Sequence, residues 1–524
     1  MNPKVLLIGL DGAPWALLNQ WISSNQLPTL KKIAKSGIMG PLKSTIPSIT
    51  FPAVPSLLTG MNPGNFGIFS FIKPDGLPVT LWDLKYDKIW NVLDNNNLKS
   101  CIVNIPLSYP PEKINDVMIS GWTPSDDSIY VHPKNMQNIV GKFHDSKIQK
   151  EIFKLRYKKH NKNDRIKLIS NLIELIERRY RVFKILNQMD NYDLSLLWIY
   201  QTDVLQHCCW EYKETLLELY IKIDNILSDI LTTFSNRNLF IVSDHGFESN
   251  PSRFFFANTW LYNHGYLKQN KSPLKYILNS LQVFSYNNLP KNFISKILTT
   301  WQSLRNKNNS EQNISVERFN NIPGLDVKNS KAYLSTLFGI NINCDNNYQA
   351  LRNEIIKKLK NIKDENNNFV IRDIWKKEDV YKGKYLRYIP DIIFLTSEKY
   401  VPFPALSKKV FSKINRRAYW WQSGEHYRAM NGILLASGPD IKKKSEQINA
   451  NIEDIFPTIL HILGYPIPSY VDGKIITDIY MFDREPVFSH EYEKGDQIPE
   501  KISGLEKKDE EKILERLKKL GYIE

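Results

Sequence analysis

Short, continuously apolar runs rich in β-branched residues recur along the chain: KVLLIGL (4–10), SCIVNI (100–105), DVMISG (116–121), LSLLWIY (194–200), LFIVS (239–243), DIIFLT (391–396) and GILLAS (432–437). A strand with one face in water alternates apolar and polar side chains, whereas an unbroken run marks a strand covered on both faces. Between the runs lie helical patterns that end on glycine, such as LPTLKKIAKSG (27–37) and EDIFPTILHILG (453–464). A long amphipathic stretch, DRIKLISNLIELIERRYRVFKILNQM, occupies 164–189. Parallel strands need crossover connections, and helices supply them, so the alternation predicts an α/β fold with a mostly parallel central sheet between helices.

At 524 residues the chain is longer than one minimal core requires. The pattern divides it into a core in three parts, residues 1–124, 191–264 and 391–485, with insertions between them. Residues 125–190 read as a helical insertion, 265–390 as an insertion or cap with α+β character, and 486–524 as a C-terminal tail carrying an amphipathic helix. Four cysteines, Cys101, Cys208, Cys209 and Cys344, form no CxxC pair and no disulfide framework. The N-terminal apolar run lacks the basic flank and cleavage site of a signal peptide, and no window approaches the roughly 20 apolar residues of a spanning helix. A cytoplasmic location is the resulting expectation. The net charge is +15. Its lysines are dispersed among asparagines, as on solvated faces, so the field suits an anionic small molecule and nucleic acid is not the expected partner.

Ligands of open parallel sheets bind at the carboxyl ends of the strands. Asp11 follows the first run, Asp203 and His207 follow LSLLWIY, and Asp244-His245 follow LFIVS; His426 stands just before GILLAS. Asp203 and His207, at i and i+4, share one helix face and can hold one ion together. Each has a bland explanation: Asp11-Gly12 makes a turn, Asp203 caps a helix, and Asp244-His245-Gly246 makes a turn with a cap. Their common position is harder to explain that way, because the chain has only nine histidines. In SITFPAVPSLLTG, Thr50 reads as an N-cap with Pro52 in the first turn and Gly60 as the stop.

Taken together, LIGLDGAPW, STIPSITFPAVPSLLTGMNPGNFGIF, TDVLQH, IVSDHGF, GEHYRAMNGILLASGP and NIEDIFPTILHILGYPIPSYVDGK resemble the alkaline phosphatase superfamily. The similarity is to its type I phosphodiesterase/nucleotide pyrophosphatase branch, within the group of predicted phosphohydrolases and phosphomutases. The resemblance implies an alkaline-phosphatase-like core and two divalent metal ions, zinc first, with manganese or iron as competitors. Asp203, His207 and His426 would hold one ion; Asp11, Asp244 and His245 would hold the other. Thr50 would be the nucleophile at the metals, aided by the helix that starts after it. The implied activity is metal-dependent hydrolysis of a small-molecule phosphoric ester, a phosphodiesterase or phosphatase reaction. The alternatives are a phosphotransferase or phosphomutase, or an inactive scaffold that binds anions or carbohydrate. The asparagine that nucleotide pyrophosphatases carry beyond the nucleophile has no counterpart in GNFGIFSFIKP, where Phe69, Ser70 and Phe71 stand. Lys73, Arg253, Trp421 and Tyr427 are candidate substrate contacts.

Overall fold

The computed structural model describes residues 4–73, 76–106, 108–121, 128–141, 143–144, 148, 150–152, 161–270, 324–344, 346–414, 423–444, 446–477, 479–490 and 507–520. It forms two compact units: Met1–Glu248 with Gly424–Glu524, and Ser249–Ser423. Among the described residues no helix is long and apolar enough to cross a membrane.

The first unit is built on a sheet of nine strands: β1 (Val5–Leu10), β2 (Ile38–Lys43), β3 (Ser100–Ile105), β4 (Asp116–Ser120), β5 (Val131–His132), β6 (Leu194–Ile199), β7 (Asn238–Val242), β8 (Asn431–Ser437) and β9 (Ala450–Asn451). Their order is β9-β2-β8-β7-β1-β6-β3-β4-β5. The pairs β1–β6, β1–β7, β3–β6, β3–β4 and β2–β9 are parallel. The pairs β8–β7, β8–β2 and β4–β5 are antiparallel. Every residue of β1, β3, β6 and β7 is buried, which is why these runs show no alternation. Each aliphatic side chain so buried contributes about 1.5–3 kcal/mol over its exposed state.

The described helices around the sheet include α1 (Trp15–Ser23), α2 (Pro28–Ser36), α3 (Thr50–Thr59), α4 (Lys162–Met189), α5 (Gln201–Cys209), α6 (Lys213–Thr233) and α7 (Ile455–Leu463). Helix α4 packs against β3 and β6, and β5 extends the sheet at β4. The described part of 125–190 is therefore woven into the body of this unit.

Strand order decides where the site falls. β7, β1 and β6 are neighbours and run parallel, so their carboxyl ends share one edge. β8 runs antiparallel to β7, with Leu434 opposite Val242, which puts the start of β8 at that same edge. β2 is antiparallel to β8, with Lys43 opposite Asn431, so the chain leaving β2 toward Thr50 also emerges there.

Gly40 in β2 shows how tightly the edge is built. A Cβ at this position would lie 1.7 Å from the backbone oxygen of Ile448. Backbone cannot swing aside as a side chain can. Gly40→Ala is expected to lower stability by about 1–3 kcal/mol or more, read as a shift in the urea midpoint of the first unit.

The second unit has its own core, with Phe255, Leu261, Leu334, Ile340, Ile355, Leu359 and Phe394 among its buried residues. A four-stranded antiparallel sheet runs in the order Ala332–Thr336, Gly339–Ile342, Ile392–Thr396, Ile371–Lys376, with the helix Tyr348–Lys360 against it. A three-stranded sheet joins Tyr400–Pro402, Arg253–Phe255 and Phe411–Lys413. The strand at 392–396, expected with the core runs, thus belongs to this second unit. A buried five-residue apolar run reads alike in either sheet. The unit spans Ser249–Ser423, beyond the 265–390 expected for the insertion. Residues 271–323 lie outside the described residues.

Candidate active site

Asp11 leaves β1 with its amide bonded to the Ile199 carbonyl (3.0 Å), which continues the β1–β6 pairing past the last strand residue. Gly12 then turns the chain at φ +64°, a region that costs a Cβ-bearing residue strain. Space is short there as well, since a Cβ on Gly12 would meet Asp203 Oδ1 at 3.1 Å and His245 Cε1 at 3.2 Å. The Gly12 amide donates to Asp244 Oδ1 (3.1 Å), and the Ala13 amide donates to Ser243 Oγ (2.7 Å). The turns after β1 and β7 are thus bonded to each other.

Thr50 differs from the reading of it as a helix cap. Phe51 is extended (φ −114°, ψ 108°), so the regular turns of α3 begin at Pro52 and Thr50 stands just outside them. Its hydroxyl faces Asp11 Oδ1 at 3.5 Å. Thr45 Oγ1, nearby in sequence, donates to the Pro47 carbonyl (3.0 Å).

Asp203 and His207 meet across one turn of α5, Oδ1 to Nε2 at 3.4 Å. His245 Nε2 lies 3.5 Å from Asp11 Oδ1 and 3.4 Å from Asp244 Oδ2. His426 stacks on His245, with ring centroids 4.2 Å apart and planes at 24°, and its ring meets that of His207 edge-on at 5.1 Å. One ligand atom from each of Asp11, Asp244 and His245 falls within 4.8 Å of the other two, and the same holds for Asp203, His245 and His426. His245 therefore belongs to both groups, whereas the resemblance placed it with Asp11 and Asp244 alone. The stacking on His426 brings it within reach of both.

Two features make the cluster a candidate metal site. First, a backbone carbonyl can only accept, so each histidine bonded to one through Nδ1 carries a proton there and, in its neutral form, keeps the lone pair on Nε2. His207 Nδ1 donates to Gly424 O (3.3 Å), His245 Nδ1 to Gly246 O (2.9 Å) and His426 Nδ1 to Ser48 O (2.9 Å). Second, the His–carboxylate separations of 3.4–3.5 Å are too long for good hydrogen bonds. They match the spacing of about 3.4 Å between neighbouring ligands around a tetrahedral ion with bonds near 2.0–2.1 Å.

The electrostatics agree. Asp11, Thr50, Asp203, Asp244 and His245 are fully buried, and His207 and His426 nearly so. Burial, then the charges of Asp244 and Asp203, hold the Asp11 carboxyl well above the usual carboxylate range. Burial pushes Asp244 up to about 7, against the pull of backbone N–H donors, and pushes His245 down to about 4. Crowded buried carboxylates of this kind are stabilised as anions by cations.

Two contacts at the site carried no readable signal in the sequence. Ser48 Oγ donates to the His426 carbonyl (2.6 Å) while His426 Nδ1 donates back to Ser48 O, a reciprocal clamp across 378 residues. Trp198 Nε1 donates to Asp11 Oδ2 (3.0 Å). Of the candidate substrate contacts, Lys73 pairs with Asp83 (3.2 Å), and Arg253 pairs with Asp364 (3.1 Å) within the second unit. Tyr427 is 38% exposed beside His426, and Trp421 lies outside the described residues.

No curated protein matches the chain. Among solved structures it is similar to human ectonucleotide pyrophosphatase/phosphodiesterase 5, with 16% identity, TM-score 0.48, and coverage of 91% of this chain and 100% of that one. It is also similar to the murine protein of the same name, solved as an inactive threonine-to-alanine variant in complex with AMP, at 14% identity, TM-score 0.45, and coverage of 89% of this chain and 96% of that one. The sequence profile of type I phosphodiesterase/nucleotide pyrophosphatase matches residues 5–420. The chain belongs to the type I phosphodiesterase/nucleotide pyrophosphatase family, the branch of the alkaline phosphatase superfamily that its motifs resemble, and is an enzyme of the phosphoric-ester hydrolase class.

Proposed function

We propose that the chain hydrolyses small-molecule phosphoric esters through Thr50, at a site that holds two divalent metal ions. The observation that carries this reading is the arrangement of the three histidines. Each has Nδ1 tied to a backbone carbonyl and Nε2 left toward a cluster of buried carboxylates at ligand-sphere spacing. Asp11, Asp244 and His245 would hold one ion, and Asp203, His207 and His426 the other, with His245 near both. Imidazole and carboxylate donors favour zinc, with manganese and iron next. When bound, such ions lower the pKa of a nearby hydroxyl and offset charge on a phosphoryl oxygen.

The chain's own residues supply the rest. Thr50 Oγ1 is held at the cluster by the backbone ahead of the regular turns of α3, and its hydroxyl faces Asp11 Oδ1. Attack by Oγ1 on phosphorus forms a Thr50–phosphate ester as the bond to the leaving alcohol breaks, and the proton given up by Oγ1 ends on the departing oxygen. Water then attacks the same phosphorus; its oxygen stays on phosphate and Thr50 regains its proton. The Ser48–His426 clamp keeps the nucleophile loop in register with the metal ligands.

The test is metal analysis of the purified protein together with turnover of nitrophenyl phosphate and bis-nitrophenyl phosphate. Bound divalent metal and metal-dependent cleavage of at least one ester are expected. His426→Ala is expected to lower the bound metal and reduce turnover by about 10–100-fold or more. A protein that retains no divalent metal and cleaves neither ester would end the proposal.

A further inference from the structure

Gly9 and Trp198 lie opposite each other across the parallel β1–β6 pair. The Trp198 ring covers Gly9 so closely that a Cβ there would fall 2.0 Å from Cε3 and 2.4 Å from Cζ3. The ring is fully buried, so it has nowhere to retreat. From this position the indole Nε1 reaches Asp11 Oδ2 at 3.0 Å, on the residue two places beyond Gly9. Trp198 is itself held by its backbone, whose carbonyl accepts from Asn104 Nδ2 (2.7 Å).

This contact divides the two oxygens of Asp11. Oδ2 takes the indole N–H, and Oδ1 is left facing Thr50 Oγ1 and His245 Nε2, each at 3.5 Å. The terminal torsion of an aspartate is broad, so a carboxylate without such a tether can turn its oxygens away from the cluster. Outer partners of this kind set ligand orientation at metal sites. We infer that Trp198 is a positioning residue, fixing the Asp11 carboxylate through its indole N–H, and that Gly9 is required to admit the ring. The inference rests on the reading of Asp11 as a metal ligand.

The experiment is a double-mutant cycle on metal-stripped, full-length protein, with zinc affinity measured by competition against a chromogenic chelator. Trp198→Phe keeps an apolar ring and removes the donor; it is expected to weaken zinc binding by about 10–100-fold with its unfolding transition retained. Asp11→Asn is expected to weaken zinc binding at least as much. The double variant should be no weaker than Asp11→Asn alone by more than about threefold, because two residues acting through one contact are not additive. Wild-type zinc affinity in Trp198→Phe, or a loss that multiplies in full with that of Asp11→Asn, overturns the inference. Wild-type affinity in Asp11→Asn instead removes the ligand reading beneath it. Should Trp198→Phe fail to fold, benzothienylalanine at position 198 keeps the bicyclic shape and puts sulfur in place of the N–H; the same loss of zinc affinity is expected, and its absence is equally decisive.

Discussion

Thr50→Ala is expected to lower kcat on either nitrophenyl ester by about 10³–10⁵-fold, with the bound metal and the unfolding transition nearly unchanged. The substitution removes one buried hydroxyl that also interacts with Asp244, and its 3.5 Å contact to Asp11 Oδ1 is too long to contribute much stability. The Asp and His donors all remain, so the loss falls on chemistry. Thr50→Ser retains the oxygen and should recover much of the activity, since the position of Oγ is set by the backbone ahead of the regular turns of α3 more than by the methyl group. Wild-type-like turnover in Thr50→Ala, within tenfold, would show that the attacking oxygen comes from elsewhere.

Stripping the metal should destabilise the first unit, and more so at alkaline pH. The sign follows from the shifted groups. In the metal-free protein Asp11 and Asp244 keep protons that the unfolded chain has already released, so each contributes a stability that falls as pH rises, for Asp244 between the ordinary 3.8 and about 7. His245 works the other way: its folded pKa of about 4 lies below the ordinary 6.5, so it makes stability rise with pH across that interval and adds nothing above it. Above pH 6.5 only the carboxylates act, and ionising them without a cation costs stability. In the proposed metal-bound state the sign reverses, because the ionised carboxylates would then be the ligands. Chelation at pH 8 should therefore lower the Tm of the first unit by about 5–10 °C, and by clearly less at pH 6. A chelator effect equal at both values, or larger at pH 6, would separate these carboxylates from metal binding.

Much of this site was legible along the chain because its parts are local. A strand that ends in Asp11, a helix that carries Asp203 and His207 one turn apart, and a strand that ends in Asp244-His245 each follow from a few adjacent residues. Hydrophobic periodicity is enough to recognise the buried strands, and the polarity of each run places its acidic residue at the carboxyl end. The reading of Thr50 as a cap failed for an equally local reason in the backbone: Phe51 precedes Pro52, whose ring disfavours the helical region for the residue before it, and Phe51 is accordingly extended.

Strand class, helix class and the identity of the chemically competent side chains were determined by sequence alone, because short-range sterics and the burial pattern decide them. Tertiary structure alone decided which strands became neighbours. The order β7-β1-β6 and the antiparallel run of β8 bring Asp11, Asp244, Asp203 and His426 to one edge from positions hundreds of residues apart. The strand at 392–396, as apolar as those of the core, went to a different sheet. His245 came to serve both groups of donors, and Trp198 came to hold Asp11, through contacts that exist only after those strands have paired. Pairing between distant segments is set by the packing of the whole core, and no local window of residues contains it.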